Sequence, residues 1–140
     1  MSISLFLTPL CVEQISEDGN GVWKLTAPLR YSSALLDGIM TVEQGFVTDF
    51  ASVPRLPVVW LLAGGCADRA AVVHDLLYQS KNVPRELADS IFLEAMEVLG
   101  VNWFRRYAMY YAVRAFGWSC KKNNITLKVE LNSSVIVTET

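Results

Sequence analysis

The sequence predicts an α+β protein in which a small antiparallel N-terminal sheet precedes three helices, the first two forming an antiparallel pair. Three observations carry this. Residues 3–53 are rich in β-branched and aromatic residues and are broken by turn chemistry. Beyond Pro54 and Pro57 the character becomes helical, over residues 54–117. With 52% hydrophobic and 19% charged residues in 140, the chain has enough apolar material for one domain with a real core.

The strand candidates are "SLFLTPLCVEQI", "VWKLTAPLRY" and "IMTVEQGFVTDF". The turn segments "EDGNG" and "LLDG" separate them, so three strands in series are expected. Asp68 is a candidate N-cap for a helix over Arg69–Gln79. Pro84 suits a first helical position, which predicts a second helix to Leu99 with Gly100 as its stop. Asn102 caps a third helix that reaches Phe116 and ends at Gly117. The tail, residues 118–140, contains the strand-like alternation "ITLKVEL" and then turns polar. It offers either a strand returning to the sheet or a loose surface segment.

A net charge of −2 argues against a duplex-binding module, which carries a basic footprint. A local basic patch is the exception, from Arg105, Arg106 and Arg114 with Lys121 and Lys122. Cys11, Cys66 and Cys120 are odd in number and widely spaced, favouring free thiols in a reducing cytoplasm. The N-terminus lacks a signal-peptide pattern. The longest apolar run, "LPVVWLLAG", falls far short of the ~20 residues that span a bilayer. The expectation is a soluble, cytoplasmic protein without a transmembrane segment.

The chemistry centres on "AAVVHDLLYQS", which holds the single histidine, His74. On a helix, His74 shares its face with Ala70, Ala71, Leu77 and Tyr78 and points to the core. Asp89 shares a face with Phe92, Leu93 and Met96 on the next helix, so this inward carboxylate needs a partner. The short connection "SKNV" makes the two helices antiparallel neighbours, with His74 and Asp89 at similar heights. A Tyr78–Asp89–His74 network follows. Such a network fixes the imidazole tautomer and makes its other nitrogen a base, or it serves only to fix helix packing. Asp75 is about 100° further round the helix and is expected to point elsewhere, open to a cation or substrate.

"AAVVHDLLY" resembles the His-Asp-x-x-Tyr helix of the phospholipase A2 superfamily, including its viral capsid branch. The resemblance implies His74 as the base that activates water, Asp89 as its orienting carboxylate, Tyr78 as support for Asp89, and Asp75 as a calcium ligand. It further implies a lipid or other ester as substrate. The chain lacks the cysteines that flank this motif in the secreted enzymes, and no glycine-rich calcium loop of the expected form is present. Gly64 and Gly65 are the nearest glycines, and calcium wants six to eight oxygens.

A second unusual stretch, "GFVTDFASVPR", either caps a helix start through Asp49 and Ser52 or delivers Asp49 to a site at the strand end. Asp49 with His74 could share a transition metal, whereas His74 and Asp75, adjacent on a helix, could not easily do so. Together with "AAVVHDLLY", "ELADSIFLEAMEVLGV" and "RYAMYYAVRAFG", this stretch is similar to the bacterial and phage family catalogued as domain of unknown function 1353, over about residues 43–117. That resemblance implies a phage or prophage origin and a place in the bacterial cytoplasm or on the virion. It supplies no mechanism.

Two functions stand side by side. One is a phospholipase A2-like hydrolase using His74, Asp89 and Tyr78 with calcium on an ester, with His74 at the base of an open cleft. The other is a non-enzymatic phage accessory protein that contacts virion or host proteins. In it the His–Asp–Tyr network is structural, and Trp103, Tyr107, Tyr110 and Tyr111 form a partner surface. Aromatic residues at helical spacing are more often core, so this feature alone does not decide between the two.

Overall fold

The computed structural model describes residues 3–15, 22–48, 68–116 and 125–131. Six strands come first: β1 (Leu5–Phe6), β2 (Val12–Gln14), β3 (Trp23–Leu25), β4 (Leu29–Ser33), β5 (Gly38–Val42) and β6 (Val47–Thr48). Helices α1 (Asp68–Gln79), α2 (Arg85–Val98) and α3 (Trp103–Phe116) follow, and then β7 (Val129–Leu131).

The predicted α+β class is observed, with a finer division of the β region. Where one sheet of three strands was expected, two sheets form, in the orders β1–β4–β5–β7 and β2–β3–β6, with every pairing antiparallel. The reason lies in the prolines. Pro9 separates β1 from β2 and Pro28 separates β3 from β4, because a residue without an N–H cannot continue a ladder. Thr8 bridges the break by donating its hydroxyl to the Pro28 carbonyl and accepting from the Arg30 amide at 2.9 Å.

The tail does return to the sheet, since β7 pairs with β5. Gly38 makes this possible. A Cβ there would lie 2.6 Å from the Glu130 carbonyl oxygen and would also strike the Val129 side chain. The approach of β7 is further guided by the α1–α2 connection. Asn82 accepts from the Leu127 amide at 2.9 Å and donates to the Leu127 carbonyl at 3.2 Å.

Helix α2 begins after Pro84 and ends at a Leu99 cap followed by Gly100 at φ 76°. That left-handed backbone is the reason a glycine stops this helix. Asn102 caps α3 as expected, accepting from the Phe104 amide at 2.8 Å. Asp68 is helical, where it was expected to cap. As an anion in the first turn it still complements the helix dipole.

Helix α1 packs on α2 and α2 packs on α3. Residues Ala70–Tyr78 of α1 are all buried, which marks a central helix covered on every side. The core joins Leu25, Tyr31, Met40 and Val42 of the sheets to Ile91, Phe92 and Met96 of α2 and Val113 of α3. Glu94 fastens α2 to the β4–β5 turn. It accepts from the Tyr31 hydroxyl at 2.6 Å, the Ser33 hydroxyl at 2.8 Å and the Leu35 amide at 3.1 Å. Burial, followed by the hydrogen bond and charge of Glu94, raises the Tyr31 phenol well above its ordinary range.

Candidate functional site

The site grows from the antiparallel packing of α1 on α2. His74 Nε2 lies 2.8 Å from Asp89 Oδ1, and the Tyr78 hydroxyl donates to the same oxygen at 2.7 Å. The Tyr78–Asp89–His74 geometry expected from helix spacing is therefore present. The imidazole is walled by aromatic rings, Tyr78 at 4.1 Å and Phe92 stacked at 4.6 Å between centroids.

A fourth member carries no sequence signal. Arg114, on α3, donates from Nη1 to Asp89 Oδ2 at 2.9 Å. Arg85 approaches that oxygen to 3.9 Å and donates to the Arg114 carbonyl at 2.7 Å. One carboxylate on α2 thus holds side chains from α1 and from α3. An arginine on the flank of a helix looks like any solvated charge in sequence, and the spacing along α1 and α2 points only to His74, Asp89 and Tyr78.

The electrostatics follow from these contacts. Burial pushes the Asp89 carboxyl upward and is the largest single influence. Hydrogen bonds from His74 and Tyr78, the charge of His74 and the Arg114 hydrogen bond together outweigh it and hold the carboxyl below its usual range. Asp89 is accordingly an anion that accepts, so His74 Nε2 carries a proton toward it.

Access is the decisive quantity. His74 and Asp89 are each 0% exposed, so the imidazole lies in the core and not at the base of an open cleft. A cleft of about 500 Å³ does exist, lined by Thr41, Glu43, Phe46, Leu76, Leu127 and Lys128 among others. It takes Leu76 from α1 as part of its wall, and neither His74 nor Asp89 lines it.

Asp75 corrects a further expectation. It is buried at 8% exposure and accepts from the Gln79 side chain at 3.0 Å, one turn along α1. It does not present an open face to a cation or substrate. Among the described residues, no group of three or more His, Cys, Asp or Glu could hold a metal ion. Calcium needs more oxygens than Asp75 can gather from these residues, so they do not fit that ion. Thr48, at the end of β6, is buried. Asp49, Ser52, Gly64, Gly65 and the run "LPVVWLLAG" lie outside the described residues, as do Cys66, Cys120, Lys121 and Lys122.

The aromatic residues of α3 take the exposed of the two placements open to them. Met109, Ala112 and Val113 form its core face, while Trp103 is 67%, Phe104 55%, Tyr107 40% and Tyr111 65% exposed. These rings cluster edge to face on the outside of the helix.

The chain matches, over residues 23–113, the family described as "Protein of unknown function (DUF1353)". The match covers more than half of the chain, and the chain belongs to that family. No curated protein and no solved structure matches it. Among the described residues, no helix is long and apolar enough to cross a membrane.

Proposed function

We propose that this chain is a non-enzymatic accessory protein that acts through a contact surface, and that the His74–Asp89–Tyr78–Arg114 network is the lock that shapes its helical half. The observation that carries this reading is the complete burial of both His74 and Asp89. A general base must meet the water or substrate it deprotonates, directly or through one water. A sealed imidazole bonded to a carboxylate meets the needs of helix packing instead. The phage or prophage setting, and a partner on the virion or in the host, rest on the family resemblance. The exposed rings of α3 supply the surface that such a role requires.

The test is direct. The purified protein is incubated with phospholipid vesicles and each common divalent cation, and free fatty acid is measured. The expected result is no release above buffer. Release that disappears in His74→Gln, with the fold retained, overturns the reading.

A second reading keeps one specific observation in its favour. The protonated Nε2 faces Asp89, which makes Nδ1 the basic nitrogen, the tautomer that a His–Asp hydrolase of phospholipase A2 type requires. In that reading His74, Asp89 and Tyr78 carry the chemistry and the substrate is a lipid ester. The same fatty-acid assay separates the two.

A further inference from the structure

The ladder between β5 and β7 stops short. Its rungs run from Gly38–Leu131 to Met40–Val129, and the next, Thr41 with Lys128, is not among them. The cause is a competing partner. Lys81 donates its amide to the Ile125 carbonyl at 2.8 Å, and the Asn82 side chain holds both backbone groups of Leu127. Residues 125–127 are thereby drawn toward the α1–α2 connection and away from β5. The cleft of about 500 Å³ lies in the fork so formed, with Thr41 and Glu43 on one bank and Thr126 and Lys128 on the other.

Both banks aim backbone groups into the fork. On β4, Arg30 accepts from the Leu7 amide and donates its own amide to Thr8 Oγ1, so its main chain faces β1. Alternation then turns Tyr31 toward β5, its register partner Met40 toward β4, and Thr41 outward to the fork. On the other bank the main chain of Ile125 and Leu127 is committed to the connection. The alternate residues Thr126 and Lys128 therefore face the fork in an extended chain. Side chains sort by the same rule. Leu76 and Leu127, both buried, form the floor, while Glu43 and Lys128 are exposed at the rim.

We infer that this fork is a docking slot for an extended peptide segment of a partner protein, which adds a strand beside Thr41 and alternates apolar residues on the Leu76 floor with charged residues at the rim. Main-chain hydrogen bonds supply affinity in such strand addition, and alternate side chains supply selectivity. The banks run antiparallel to each other, so the guest strand is parallel to one and antiparallel to the other. Charge sets the preferred sequence. Glu130 is already paired with Arg30 at 2.9 Å, so a basic guest residue suits the Glu43 bank and an acidic one the Lys128 bank. A fatty acyl chain would cover the floor but leave the facing main-chain groups without water or partner, which is costly. Neither His74 nor the α3 rings line the slot, so the inference goes beyond the reading above and does not rest on it.

The probe is an array of short capped peptides with valine, leucine or phenylalanine at alternate positions and lysine, glutamate or threonine between them. Fluorescence polarisation on the full chain measures binding. Alternating members are expected to bind, with amide shifts at Thr41, Thr126 and Lys128 in nuclear magnetic resonance spectra. Isomers with the apolar residues in one block are expected not to. Methylating alternate backbone amides of the best member should weaken it by about tenfold or more. Glu43→Lys combined with Lys128→Glu, both at exposed positions, should leave circular dichroism unchanged and reverse the preferred order of charges in the guest. An array without a binder overturns the inference, as does a binder indifferent to methylation or to the charge exchange. So does sodium oleate that shifts the same amides when no peptide does. None of these outcomes depends on fatty-acid release from phospholipid, so the slot and the non-enzymatic reading fail separately.

Discussion

Asp89 on α2 and Arg114 on α3 are joined at 2.9 Å, on the opposite carboxylate oxygen from the one that holds His74 and Tyr78 of α1. Three helices therefore converge on one buried anion. A carboxylate in that position is tolerated only while its partners remain, because an unpaired buried charge is costly.

Asp89→Ala removes the hub and leaves His74, Tyr78 and Arg114 without their common acceptor. The expected loss is about 3–5 kcal/mol of unfolding free energy, as for breaking a buried pair. Arg114→Gln costs less, about 1–3 kcal/mol, since the arginine is partly exposed and two other donors stay on Asp89. Urea denaturation of both variants measures the difference. A negligible cost for Arg114→Gln would mean that α3 does not share the anion with α1.

Asp89 also sets an acid dependence. Its carboxyl titrates below the usual range in the folded chain, so the unfolded state takes up the proton first as pH falls. The stability it contributes is complete above the unfolded value of about 3.9 and is lost as pH drops through the lower folded value. Urea midpoints measured down through that window should fall in wild type. The fall should be shallower in Asp89→Asn, which is less stable throughout and has no proton to gain there. Parallel profiles would exclude Asp89 as the source.

Gly38→Ala pushes β7 away from β5, because the new methyl meets the Glu130 backbone as well as the Val129 side chain. The expected cost is about 1–3 kcal/mol, typical of overpacking. Hydrogen exchange should show faster exchange at residues 129–131 with α1 and α2 unaffected. Unchanged protection of β7 would show that the strand can shift at little cost.

Glu94→Ala leaves the Tyr31 and Ser33 hydroxyls and the Leu35 amide without their acceptor. For the buried Tyr31 and Ser33 each donor left unmet costs about 1–3 kcal/mol, whereas the exposed Leu35 amide can turn to water. The expected signature is a lower melting temperature with the largest chemical-shift changes at residues 33–36. Glu94→Gln keeps one carbonyl acceptor and should recover part of the loss.

Much of this was legible in the sequence, for physical reasons that also explain the rest. Helix ends marked by Pro84, Gly100 and Asn102 were readable because caps are local chemistry. The His74–Asp89 pair was readable because a short connection fixes the relative height of two helices. The split into two sheets was not, since Pro9 and Pro28 say where a strand breaks but not which strand receives each piece. Arg114 was invisible because nothing in a helical pattern tells which flank a third helix turns toward a carboxylate. The exposure of Trp103 and Tyr111 ran against the usual meaning of aromatic spacing, as α3 has a second apolar face in Met109, Ala112 and Val113 that meets the core. Asp75 was misplaced for a related reason, because α1 is buried all round and offers no open face.

The sealing of His74 in the core has a direct probe because the chain contains a single histidine. Diethyl pyrocarbonate carbethoxylates an accessible neutral imidazole, and the ultraviolet absorbance of the product follows His74 alone. No modification of the native protein is expected over times in which free histidine reacts fully, and complete modification is expected once urea unfolds the chain. Rapid reaction in the native state, at a rate near that of free histidine, would contradict it and restore His74 as an accessible base.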